Sequence, residues 1–229
     1  MLFRDMGSVP VLIKFFALTF SALLPLINPL GSALLLLEIV GSAPMSVFRD
    51  LARSIAIRTT LFLLVVELVG SGLLEFFGIS LPVVQVAGGL VLANMGWSLL
   101  NQAGSETKAD TGEVPDELKS LKSKVFYPLT FPLTVGPGCI VVMLTLTAHA
   151  SVKQTVIDDV MAHVGISLAV LVLSLTVFVS YRYAPKITTR ISAQTVHGIL
   201  RIVAFVLLCI GVQITWNGVE TLLKTVLKH

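Results

Sequence analysis

The chain has 229 residues, 55% of them hydrophobic and 13% charged, with a formal net charge of +3. Soluble domains carry roughly 25% charge, so this composition, with a mean hydropathy of +0.93, excludes an ordinary water-soluble fold. The basic balance does not point to nucleic acid, because no basic run is interleaved with aromatics; lysines and arginines in loops beside membrane spans account for it.

Runs of about 20 apolar residues predict an all-α polytopic membrane protein with six spans, at 9–40, 56–77, 81–101, 125–149, 160–182 and 198–223. Arg4 followed by an apolar stretch from Val9 resembles a signal peptide. The stretch is too long for one, and Pro44 follows the small-residue site Gly41-Ser42-Ala43, so the segment is expected to be retained. Within the first span, PLINPLGSALLLL (Pro25 to Leu37) places Pro25, Pro29 and Gly31 inside an apolar run. Proline lacks the backbone donor and clashes with the preceding turn, so this span is expected to be broken.

The second span carries Glu67, the only carboxylate near a span centre. An intramembrane acid is a functional candidate because its charge is costly to bury. It is read either as the site of a coupling proton or sodium ion or as a neutral, hydrogen-bonded side chain. Gly70, Gly72, Gly88, Gly89 and Gly96 supply small faces for helix packing. The polar stretch after Asn101 is read as a cytoplasmic linker, 102–124, separating a first three-span repeat, 1–101, from a second, 125–229.

The fourth span repeats the first: PLTVGPGCIVVML (Pro132 to Leu144) brings Pro132, Pro137 and Gly138 into matching places. Interrupted helices at equivalent positions in two halves are a pointer to a transporter's central site. The third and sixth spans also align loosely, matching Gly96 to Gly211. Three spans per half is odd, so the second half enters the membrane in the opposite sense, an inverted repeat. Lys and Arg number 11 in the loops after spans one, three and five, Arg201 included, and 5 on the other side. The positive-inside rule then places both termini in the periplasm.

With both breaks near mid-bilayer, new helices beginning around Ser32 and Cys139 would point at one another. A helix start carries about half a positive charge and unpaired N–H groups, so the pair would hold a small anionic group. The predicted substrate-binding set is Asn28, Pro29, Gly31, Ser32, Thr134, Gly136, Pro137, Gly138 and Gln213, with the glycines allowing close backbone approach. Simple packing kinks are the alternative. Asn94, Gln213 and Asn217 line a cavity or bond across helices, the latter being favoured for Asn94 and Asn217. Cys139 and Cys209 read as small packing residues.

The INPLG of Ile27 to Gly31, the GPG of Gly136 to Gly138 and the AGGLVL of Ala87 to Leu92, within the six-span layout, resemble the MarC family of bacterial inner-membrane proteins. The resemblance covers nearly the whole chain. It implies likeness to the SnatA-type transporters of small neutral amino acids such as glycine and alanine, driven by a cation gradient. A zwitterionic substrate would place its carboxylate on the helix starts and its ammonium on carbonyls freed by the breaks. The expectation is thus a cation-coupled secondary transporter or exporter with no cofactor beyond its coupling ion. A passive channel or an accessory membrane protein is the alternative. An enzyme is not expected: the aspartates lie in loops or at span ends, the histidines at span edges show no H-E-x-x-H signature, and no nucleotide-binding loop appears.

Overall fold

A computed structural model describes residues 8–41, 43–101, 125–150, 155–188 and 193–227. The expected linker, 102–124, lies outside the described residues. Those described are helical without a strand. In chain order they form α1 (Ser8–Ile27), α2 (Pro29–Val40), α3 (Met45–Phe76), α4 (Leu81–Asn101), an irregular helical segment Val125–Thr134, α5 (Pro137–Ala150), α6 (Val156–Arg182), the short α7 (Ala184–Thr188) and α8 (Ala193–Val226). Among the described residues five spans are long and apolar enough to cross a membrane, one of them being α1 with α2 as Pro10–Leu37. The segment 125–134 and α5, bent by 65° at their junction, form the sixth candidate.

Three helix starts differ from the sequence-based expectation, one of them α6, which begins at Val156 rather than 160. The second span begins at Met45 rather than near 56. Phe48, Leu51, Ala52 and Ile55 are buried there, while Arg49, Arg53 and Arg58 are exposed. Apolar residues at helical spacing bury one face and let the other carry charge, so a hydropathy window misses the first turns. The last helix likewise begins at Ala193, ahead of the expected 198.

The bundle has two parts. In one, α6 packs against α1, α2 and α3, and Gly165 of α6 receives the backbone of Leu12 and Phe16. In the other, α4 and α8 lie antiparallel at backbone distance. A Cβ on Gly211 would stand 2.7 Å from the Gly89 carbonyl oxygen, and one on Gly96 would stand 2.8 Å from the Ala204 carbonyl oxygen. Small residues let helix backbones approach this closely where the solvent is lipid. Gly88, filled by Val141 of α5, joins the two parts.

Gly211→Ala is therefore expected to force α4 and α8 apart and destabilise the purified protein by about 1–3 kcal/mol. Gly72→Ala, inside α3 and with an added methyl that meets nothing within 4 Å, should unfold at or slightly above the wild-type midpoint in the same detergent melt.

Candidate functional site

The first break is centred on Asn28. Its φ of 43° and ψ of 64° are left-handed, a conformation that asparagine tolerates better than most residues. Pro29 follows at the first position of α2, where its missing N–H costs nothing. The Asn28 side chain accepts from the Gly31 amide (3.2 Å), and its carbonyl accepts from the Ser32 amide (2.9 Å). The helix thus restarts at Pro29, three positions before the expected Ser32. Ser32 turns its hydroxyl back onto the Ile27 carbonyl at 2.9 Å.

The second break uses the same device twice. Across 125–134 the turns are widened, Tyr127 and Phe131 depart from helical φ and ψ, and the Phe131–Pro132 peptide is cis. The Thr130 hydroxyl donates to the Val125 carbonyl and the Thr134 hydroxyl to the Leu129 carbonyl, each at 2.7 Å. In all three cases a hydroxyl reaches the carbonyl five residues back. α5 then begins at Pro137, and the Cys139 amide bonds the Gly136 carbonyl at 3.0 Å. The amides of Ser32 and Cys139, expected to be free for a ligand, are therefore partnered within their own breaks.

The two breaks touch. Ser32 Oγ lies 3.4 Å from the Leu133 carbonyl oxygen, and a Cβ on Gly138 would meet Leu26 of α1 as well as Leu92 of α4. Leucine thus occupies the space beside Gly138, a packing reason for glycine there in addition to the expected approach to a ligand; Gly136 has ordinary room, with Pro132 O at 3.6 Å. Tyr181, fully buried near the end of α6, closes the arrangement. Its hydroxyl is 2.7 Å from Thr134 Oγ1 and also interacts with Ser32. Since Thr134 spends its one proton on Leu129, Tyr181 must be the donor to Thr134.

Of the expected site residues, Ser32 meets the second break at Leu133 O and shares the Tyr181 hydroxyl with Thr134; Asn28, Pro29 and Gly31 belong to the first break and Gly136, Pro137 and Gly138 to the second. Gln213 belongs to neither. It is exposed on α8 and donates to Asn217 (2.9 Å) within that helix, so Asn217 bonds within its own helix rather than across helices as expected. Asn94 is exposed too. Cys139 is buried, whereas Cys209 lies exposed rather than packed.

Glu67 forms a separate centre. Its side chain is 1% exposed, with Oε1 3.1 Å from His163 Nδ1 and Oε2 accepting from the Ser167 hydroxyl at 3.1 Å. Sequence reasoning placed His163 at a span edge and missed this contact. The signal was Asp159, His163 and Ser167, four residues apart on one face of α6. Tyr181 was missed as well, and nothing in its apolar surroundings singles it out. Further polar groups lie inside the helices: the hydroxyls of Thr19, Thr59 and Ser174, on α1, α3 and α6, are buried without a hydrogen-bond partner.

A family model described as MarC family integral membrane protein matches residues 13–223. Curated relatives include proteins named UPF0056 inner membrane protein MarC from Escherichia coli strain K12 and from Shigella flexneri. Each is 28% identical over 219 residues, covering 93% of this chain and 98% of the relative. No solved structure matches.

Tyr181→Phe is expected to lower stability by about 1 kcal/mol by removing a donor from Thr134. Thr134→Val should cost about 1–3 kcal/mol, since it also strips the Leu129 carbonyl of its partner. Unfolding of the double variant should fall short of the summed losses, because both changes act on one hydrogen-bond chain.

Proposed function

This chain belongs to the MarC family of integral membrane proteins, and on that premise we propose that it is a secondary transporter or exporter of small neutral amino acids of the glycine and alanine type. It is a multi-pass inner-membrane protein; in this reading a cation gradient drives its transport and it performs no catalysis. The observation that carries the reading is the contact between two interrupted spans, with Ser32 Oγ against Leu133 O. Irregular backbone at membrane depth is tolerated where protein covers it or where it lines a path for a polar solute.

The chemistry of that place suits a zwitterion. The starts of α2 and α5 offer the positive ends of two helix dipoles for a carboxylate. Carbonyls freed by Pro25, Pro29 and Pro132 offer acceptors for an ammonium. The unpartnered hydroxyls of Thr19, Thr59 and Ser174 are groups that a polar solute would bond. The substrate contacts in this reading are Asn28, Pro29, Gly31, Ser32, Thr134, Gly136, Pro137 and Gly138, with Glu67 serving the coupling cation. The α4–α8 pair supports the inverted repeat of 1–101 and 125–229. The alignment that matches Gly96 to Gly211 also matches Gly89 to Ala204, so it carries the Gly89–Gly211 contact onto the Gly96–Ala204 contact.

In proteoliposomes, glycine should compete for uptake of radiolabelled alanine more strongly than methylamine, by about 1–3 kcal/mol, the scale of one hydrogen bond to a charged group. Equal competition by the two would place the recognised group elsewhere than the carboxylate. For topology, reporter fusions at Gly112 and His229 should read cytoplasm and periplasm respectively; the same side for both would end the inverted-repeat reading.

A further inference from the structure

We propose that Glu67, His163 and Asp159 form a proton relay entering the bundle at the Val156 end of α6, and that the coupling cation of this protein is a proton. The inference rests on the transport reading for its physiological role, but the relay itself stands on geometry. Asp159 and His163 are one turn apart on α6, with His163 Nε2 3.8 Å from Asp159 Oδ1. The other ring nitrogen, Nδ1, is 3.1 Å from Glu67 Oε1 on α3. Side-chain exposure falls from 43% at Asp159 through 28% at His163 to 1% at Glu67. Asp159 Oδ1, the oxygen facing the ring, is buried without a hydrogen-bond partner, and its 3.8 Å spacing from His163 is that of an ion-pair neighbour rather than a hydrogen bond; three proton-exchanging groups thus lie side by side in order of falling exposure.

The arrangement suits a proton better than a metal cation. Hard cations take six or more oxygen ligands. Here one Glu67 oxygen meets an imidazole nitrogen and the other a donating serine hydroxyl, so the centre brings far fewer than six oxygens together. Imidazole also has an ordinary pKa of about 6.5, which makes it the side chain best matched to proton exchange near neutral pH. Other titratable groups on the packed elements are turned away: Lys14 of α1, Arg58 and Glu75 of α3, and His149 of α5 are all exposed, and His149 bonds its own helix at Thr145 O. Asp158, the remaining acid in the first turn of α6, is held by Thr155 at 2.8 Å.

The transfer balances without a co-reactant. In the loaded-from-outside state His163 is neutral, donating Nδ1–H to the Glu67 carboxylate and presenting the Nε2 lone pair toward Asp159. Rotation of the Asp159 side chain first closes the 3.8 Å gap to hydrogen-bond distance; a proton then leaves the Asp159 carboxyl oxygen and forms a bond to Nε2, and the Nδ1–H bond breaks as the proton passes to Glu67 Oε1. Glu67 becomes a neutral acid, His163 a neutral ring with its proton on Nε2, and Asp159 a carboxylate again able to take a proton from water. Neutralising Glu67 removes the one buried charge of this centre, the change that a moving membrane helix requires. Its site on α3 is linked to the breaks through Phe62, whose ring lies 5.9 Å from that of Phe131.

The test uses the purified full-length protein and infrared difference spectroscopy against pH. A carboxylic C=O band should titrate in the wild type and vanish in Glu67→Gln. In His163→Gln, which keeps an amide donor for Oε1 but cannot exchange protons, the band's midpoint should shift by about one pH unit or more. In proteoliposomes an imposed pH gradient should drive glycine accumulation, and that drive should fall about tenfold or more in His163→Gln and in Asp159→Asn. A band that does not titrate, a midpoint unmoved in His163→Gln, or accumulation that follows a sodium gradient alone would overturn the proposal. A titrating band with the expected shifts, but without any glycine flux, would uphold the relay and remove the amino-acid reading instead.

Discussion

A backbone group without a partner cannot be left in lipid, where each costs several kcal/mol, and the prolines of two spans create such groups at Pro25, Pro29, Pro132 and Pro137. The arrangement around the breaks answers that demand. Asn28 takes the Gly31 and Ser32 amides on its side chain and carbonyl. Ser32, Thr130 and Thr134 each reach five residues back to a carbonyl. Once the hydroxyls are committed in this way, Tyr181 must donate to Thr134, and Ser32 comes to rest against Leu133. The breaks meet because their repairs interlock.

α6 serves both centres. One end supplies His163 and Ser167 to Glu67 and the other supplies Tyr181 to the joined breaks, all on a single helix whose inner face packs on α1, α2 and α3. α3 crosses between the same two regions, with Glu67 on one turn and Phe62 against Phe131 slightly more than one turn earlier. A change of charge at Glu67 and a change of shape at the second break therefore act on the same pair of helices, which is the physical form that coupling between two sites requires.

Much of this was legible in the sequence. The two proline-glycine interruptions and the isolated carboxylate at Glu67 stand out because each breaks a rule of membrane helices. The start of α3 at Met45 was not legible from hydropathy, since arginines on its exposed face mask the buried Phe48, Leu51 and Ile55. Partners distant in sequence were also hidden. Glu67 and His163 are joined by packing of α3 on α6, and no spacing rule connects them. The early restarts at Pro29 and Pro137 follow from the preference of proline for the first helical position, a local signal present in the sequence. Gln213 was included for its polarity within an apolar run, and α8 turns it outward.

The glycine seam between α4 and α8 constrains how the molecule can change shape. Side chains that interdigitate can slide by changing rotamer, but backbone resting on backbone at Gly89–Gly211 and Gly96–Ala204 has no such slack. The two helices are therefore expected to travel as one plank. Leu92 on that plank is the cover over Gly138. Anything that uncovers the start of α5 would accordingly have to swing α8 along with α4, as a helix pair rather than a single helix.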